Sequence, residues 1–177
     1  MSELTRDVLG PVLQVINDLK AKGLLVDYAI GGGVGVMYYA EPVLTYDFDI
    51  VCVFPDSTGR VIDPSPVYRE LRRMGFIFGQ EDMVVIKGVP VQFIPAAEGL
   101  MTEAIRQARM ETIGGVAAKV LRLEHLMANM LTLWRAKDRA KLAILLQYEP
   151  PLYDQALLKD LIQRYGLAEK WAKINEP

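Results

Sequence analysis

Two stretches decide the fold of this chain: Leu24-Leu25-Val26-Asp27-Tyr28-Ala29-Ile30-Gly31-Gly32-Gly33 and Tyr46-Asp47-Phe48-Asp49-Ile50. The first reads as a short buried strand that runs straight into three glycines. Val34 to Ala40 then has the length of a short helix packed behind a sheet, ended by Pro42. Tyr46 to Phe54, dense in β-branched and aromatic residues, reads as a second strand. Residues i and i+2 of a strand point to one face. Asp47 and Asp49 therefore project together, while Phe48 and Ile50 turn to the core.

On the N-terminal side, Leu9, Val12, Leu13, Val15, Ile16 and Leu19 recur at helical spacing, with Gly23 placed to stop the helix. Pro11 is a point where that helix breaks or restarts. On the C-terminal side, Pro55 to Pro66 is loop-like and Val67 to Met74 helical. Met83–Ile86 and Val89–Ile94 form a hairpin across Lys87-Gly88. Ala97 to Arg109 reads as helix, and Gly114-Gly115 breaks the chain. From Leu121 onward the pattern is helical throughout, with Pro150-Pro151 as a divider. The expected architecture is α+β: a mixed sheet of about five strands flanked by helices over residues 1–120, then a helical region over 121–177 packed on it.

Composition narrows the function classes. Of 177 residues, 51% are hydrophobic and 24% charged, a globular balance with a core of its own. A net charge of −2 excludes a generally basic nucleic-acid coat. The single cysteine, Cys52, forms no internal disulfide and reads as a core thiol. One histidine, His125, excludes a multi-histidine metal centre and reads as a surface or partly buried structural residue. The charged start and the short longest apolar run, Tyr28 to Ala40, lead to the expectation of a cytoplasmic protein with no membrane partner.

Side-by-side carboxylates repel unless something neutralises them, and Mg2+ commonly binds one or two carboxylates plus substrate phosphates. Asp47 and Asp49 suit that role; they also read simply as two exposed acids at a strand end. Glycines between a strand and a helix bring backbone N–H groups close to a phosphate. Gly31-Gly32-Gly33 suits this as well, and also reads as a turn packed tightly on the sheet. It is neither a P-loop nor a dinucleotide fingerprint, since neither Gly-Lys-Ser/Thr nor G-x-G-x-x-G is present.

In combination, the order strand, Gly-Gly, short helix, then Thr45-x-Asp47-h-Asp49-h (h is hydrophobic) resembles the signature of the nucleotidyltransferase superfamily with the DNA polymerase β-like fold. The small bacterial members, including toxin-type nucleotidyltransferases of toxin–antitoxin systems, look most similar. Leu126-Met127-Ala128-Asn129-Met130-Leu131 leading to Arg135-Ala136-Lys137-Asp138 looks like a helical segment of the same family. The resemblance implies that Gly31, Gly32, Gly33 and Thr45 hold a nucleoside triphosphate. It implies that Asp47 and Asp49 bind Mg2+ (or Mn2+) and carry catalysis, and that Arg135 and Lys137 meet the triphosphate or acceptor, with Asp138 holding them or capping the helix. The chain departs from the family pattern at Val43, Met130 and Lys141. It departs most at Gln92, which follows Gly88-Val89-Pro90-Val91 where a third carboxylate is usual. Gln92 offers a metal only an amide oxygen, and an amide is no general base. Glu81, Asp82 and Glu98 are the nearby acids that could replace it.

The expected function is Mg2+-dependent transfer of a nucleoside monophosphate from a nucleoside triphosphate to an acceptor: tRNA, a protein or a small molecule. The alternative is a degenerate nucleotidyltransferase-like protein that acts by binding nucleotide or an antitoxin-type partner protein.

Overall fold

The apolar stripe Leu9, Val12, Leu13, Ile16 and Leu19 is entirely buried. It drives α1 (Arg6–Ala21) as one continuous helix. Pro11 lies inside it without breaking it; the missing N–H removes one hydrogen bond of the ladder, and burial of the stripe outweighs the loss. The computed structural model describes residues 6–40, 47–55, 62–79, 83–96 and 99–175. After α1 come β1 (Asp27–Ile30), α2 (Gly32–Met37), β2 (Phe48–Val53), α3 (Ser65–Arg73), β3 (Ile77–Phe78), β4 (Val84–Ile86) and β5 (Val89–Pro95). They are followed by α4 (Leu100–Arg106), β6 (Arg109–Ile113), β7 (Val116–Val120), α5 (Leu123–Leu133), α6 (Ala136–Leu145), α7 (Gln155–Arg164) and α8 (Ala168–Asn175).

The strands make one mixed sheet in the order β3-β4-β5-β2-β1-β7-β6. β1 is antiparallel to β2 and parallel to β7, and β2 is parallel to β5. The expected mixed sheet between helices is present, with seven strands among the described residues where about five were expected. The two-residue β3 is too short to leave a pattern. The β6–β7 hairpin turns through Gly114-Gly115, both with positive φ (55° and 78°), as a tight two-residue hairpin turn requires. What reads as a chain break is a turn of the same chemistry as Lys87-Gly88 (φ 52° and 84°). Of the helix expected over Ala97–Arg109, Ala97 and Glu98 lie outside the described residues, the described helix is Leu100–Arg106, and Arg109 opens β6.

Each sheet face has its own core. Phe48, Ile50 and Cys52 of β2 pack with α1 and α3. Ala29 of β1 and Val51 of β2 pack on the other face with α4, α5, α6 and α7. The acid-bearing face of β2 is thus the one covered by the C-terminal helices. His125 is wholly buried in α5, contrary to its reading as a surface or partly buried residue. α5 buries nearly its whole circumference, so no exposed face is left for it. Among the described residues, no helix is long and apolar enough to cross a membrane.

Candidate active site

The site starts where β1 ends. Gly31 donates its backbone N–H to the carbonyl of Asp49 (2.9 Å), which ties the glycine loop to β2. Gly32 follows in the left-handed region (φ 53°), and a Cβ on it would overlap Oδ2 of Asp49. Only glycine satisfies both the torsion and the space. The Asp49 carboxylate therefore lies directly against the start of α2.

Asp47 and Asp49 open onto one cleft, together with Gly32 and Gly33. Both acids are half-buried, and Phe48 between them is wholly buried on the opposite face, as the two-residue period requires. The far wall is built by α5 and α6: Leu126, Asn129 and Met130 from the first, Lys137, Asp138 and Lys141 from the second, with Arg135 at the corner. Trp134 turns that corner in the left-handed conformation (φ 54°). Asp138, buried, accepts from Arg135 Nε (2.6 Å), Arg135 Nη2 (3.1 Å) and the Arg135 backbone N–H (3.2 Å). It thus caps α6 and fixes the guanidinium at the cleft edge.

Burial, with the charge of Asp47 behind it, raises the Asp49 carboxyl to about 6; Lys137, Lys141 and Arg135 pull in the opposite direction. Asp138 keeps Arg135 charged, and Asp49 and Asp47 add to that hold. A carboxylate crowded by a second acid and withdrawn from water is one that a cation relieves. Asp47 and Asp49 therefore fit a hard divalent ion. Among the described residues no three acids, histidines or cysteines stand together as a ligand group. Such an ion would complete its shell with water or phosphate oxygens, as Mg2+ does.

Of the residues singled out in the sequence, Gly32, Gly33, Asp47, Asp49, Arg135, Lys137 and Asp138 meet at this cleft. Gly31 stands behind it as the residue before α2. Gln92 pairs in register with Asp49 on the neighbouring strand, half-buried between buried Val91 and Phe93, outside the cleft lining. Thr45, Val43, Glu81, Asp82 and Glu98 lie outside the described residues. Asn129 and Lys141 join the site without having been expected there as functional groups. Lys141 had a signal: four residues after Lys137 on one helix, it shares that residue's face.

No protein-family model matches the chain, and no curated protein matches it in sequence. Solved structures do match. An antigenic nucleotidyltransferase-like protein from Paracoccidioides brasiliensis superposes with a TM-score of 0.54 at 15% identity, covering 96% of this chain and 93% of its own. Two structures of ANT(2'')-Ia give TM-scores of 0.47 at 14% identity. One is a solution structure of the antibiotic-resistance factor, covering 92% of this chain and 95% of its own. The other is a crystal structure in complex with adenylyl-2''-tobramycin, covering 87% and 96%.

Proposed function

We propose, from a nucleotidyltransferase-like fold whose paired acids face a cationic helix across one cleft, that this protein transfers a nucleoside monophosphate from a nucleoside triphosphate to an acceptor hydroxyl with Mg2+ as cofactor. One observation carries the reading: the Asp49 carboxylate lies against Gly32 and shares its cleft with Asp47, Lys137 and Lys141. Mg2+, when bound, draws charge from the phosphate oxygens and so eases attack at the α-phosphorus. Asp47 and Asp49 hold that ion, and Lys137 and Lys141 attract the phosphate chain. Arg135, fixed by Asp138, orients it. In the reaction the acceptor hydroxyl gives up its proton to solvent, its oxygen bonds to the α-phosphorus, the bond from that phosphorus to the leaving oxygen breaks, and pyrophosphate departs.

A nucleoside triphosphate labelled at the α-phosphate tests this, with label followed into RNA, protein and small-molecule pools. Incorporation by the wild type, lowered about 100-fold or more in Asp49→Asn, supports transfer; equal incorporation by both proteins refutes the site.

A second reading is favoured by Gln92. It is the register partner of Asp49; the family resemblance implies a third acid at this strand position, and an amide neither adds charge nor accepts the acceptor's proton. On this reading the protein binds nucleotide and turns it over slowly or not at all. Gln92→Asp then tightens Mg2+ binding and raises transfer. Fast wild-type transfer with no gain in the variant removes the second reading.

A further inference from the structure

A cavity of about 440 Å3 lies among the C-terminal helices and shares no residue with the cleft. Gln155, Leu158, Lys159 and Ile162 of its lining come from α7 at the spacing i, i+3, i+4 and i+7, so they form one stripe of that helix. Tyr153 joins them from the residues ahead of α7, and Trp171 from α8. The volume is that of a small-molecule site, typically about 300–1,000 Å3.

The lining divides by chemistry. Leu158 and Ile162 are buried and make an apolar floor. Tyr153 and Trp171 are half-buried and add aromatic surface, while Gln155 and Lys159 are exposed. Among the described residues, Lys159 is the one charged group of the lining, and neither its ammonium nor the Gln155 amide is held by a hydrogen bond or ion pair. The acids of these helices are engaged elsewhere. Asp154 caps α7 by accepting from the backbone N–H of Ala156 (2.9 Å) and Leu157 (3.0 Å). Asp160 accepts from Arg164 Nε (2.7 Å), and Glu169 from Lys173 Nζ (2.6 Å). Burial, with Glu149 behind it, raises the Tyr153 hydroxyl above its ordinary pKa, so it stays protonated and able to donate.

An inorganic anion gains nothing from the apolar floor, and a neutral hydrocarbon gains nothing from the lysine. A ligand with an aromatic body and one negative group uses both. We propose that this cavity is a second ligand site, for an aromatic organic anion whose ring lies on Leu158 and Ile162 between Tyr153 and Trp171 and whose charge meets Lys159. It stands or falls independently of nucleotide transfer at the cleft.

Two fluorescent probes with one ring system test the proposal on the whole chain: anilinonaphthalene sulfonate, which carries the negative group, and phenylnaphthylamine, which lacks it. The wild type should bind one sulfonate probe per chain, saturably and more tightly than the neutral one. Lys159→Gln should weaken the sulfonate about fivefold and leave the neutral probe unchanged. Lys159→Arg, which keeps the charge, stays near the wild type and guards against a folding artefact. Trp171→Ala should weaken both probes about tenfold, and Trp171→Phe, which keeps an aromatic wall, much less. Lys141→Gln, in the cleft, should change neither. Equal affinity for the two probes overturns the proposal, as does sulfonate binding within about twofold of the wild type in Lys159→Gln. Loss of the sulfonate in Lys141→Gln places the probe in the cleft and overturns it too. A chain that is dimeric, and binds the probe only as the dimer is diluted apart, gives the cavity to a second copy instead.

Discussion

Gly32 and Asp49 occupy one another's space, and the consequence can be measured at single residues. Gly32→Ala puts a Cβ where the Asp49 carboxylate lies, in a torsion that costs an L-residue about 1–2 kcal/mol. The melting temperature should fall by roughly 2–8 °C. The Mg2+–nucleotide-dependent gain in melting temperature should also disappear, because the displaced acid no longer faces the cleft. A thermal scan with and without Mg2+ and a nucleoside triphosphate reads both effects, and a variant that keeps the full nucleotide shift contradicts the placement of Asp49. This part of the site was legible in the sequence because it is local: strand periodicity alone sends Asp47 and Asp49 to one face, and glycine after a strand announces an unusual torsion. Asn129 was not legible as a site residue, since only the packing of α5 on β2 brings it there, and Lys141 was legible only as a neighbour of Lys137 on one face of α6.

Two predictions belong to the elements. Gly10 sits within α1 where a Cβ would run into the carbonyl oxygen of Gly114 in the β6–β7 turn. Helix propensity alone favours alanine there by about 0.8–1.0 kcal/mol. The contact reverses the sign, and Gly10→Ala should destabilise by about 1–3 kcal/mol in a denaturant titration. A stabilised variant would show that α1 packs less closely than described. The second concerns the joint between α4, α5 and α7. Buried Glu103 accepts from Arg164 Nη1 and Nη2 (2.7 Å each), Tyr165 Oη (2.6 Å) and Gln107 Nε2 (3.0 Å). Arg164, with Tyr165 assisting, holds its carboxyl down to about 2, against 4.5 ordinarily. The unfolded chain binds this proton more readily, so the contribution is complete above about pH 4.5 and lost as pH falls towards 2. Arg164→Met should destabilise the chain at neutral pH, because it leaves the buried Glu103 carboxylate without its guanidinium partner. It should also flatten the acid side of the stability profile, and an unchanged acid limb would reject the assignment. His125 packs beside this joint, its Nε2 3.6 Å from Glu103 Oε1, and burial lowers its pKa. Hairpins announced by Lys87-Gly88 and by Gly114-Gly115 differ in legibility for a physical reason. β4 and β5 alternate buried and half-buried residues, whereas edge strand β6 is exposed along most of its length and carries no such alternation.

For the whole molecule, the question is whether sheet and C-terminal helices unfold as one. Residues of β1 and β2 share a single apolar cluster with α4, α5, α6 and α7, so one cooperative transition is expected. The chain carries its own probes. Its two tryptophans, Trp134 and Trp171, report on the helical region, and its one cysteine, buried Cys52, reports on β2 in the middle of the sheet. Tryptophan fluorescence, thiol labelling of Cys52 and far-ultraviolet circular dichroism should share one denaturant midpoint. Separate midpoints would mean that residues 1–120 and 121–177 are independent units. The cleft between these parts also has a biosynthetic consequence. The ribosome makes Asp47 and Asp49 long before Lys137 and Lys141. A nascent chain that has formed β1 and β2 carries both acids before either lysine of their cleft exists, and the site comes into being only once α6 has been translated and has docked.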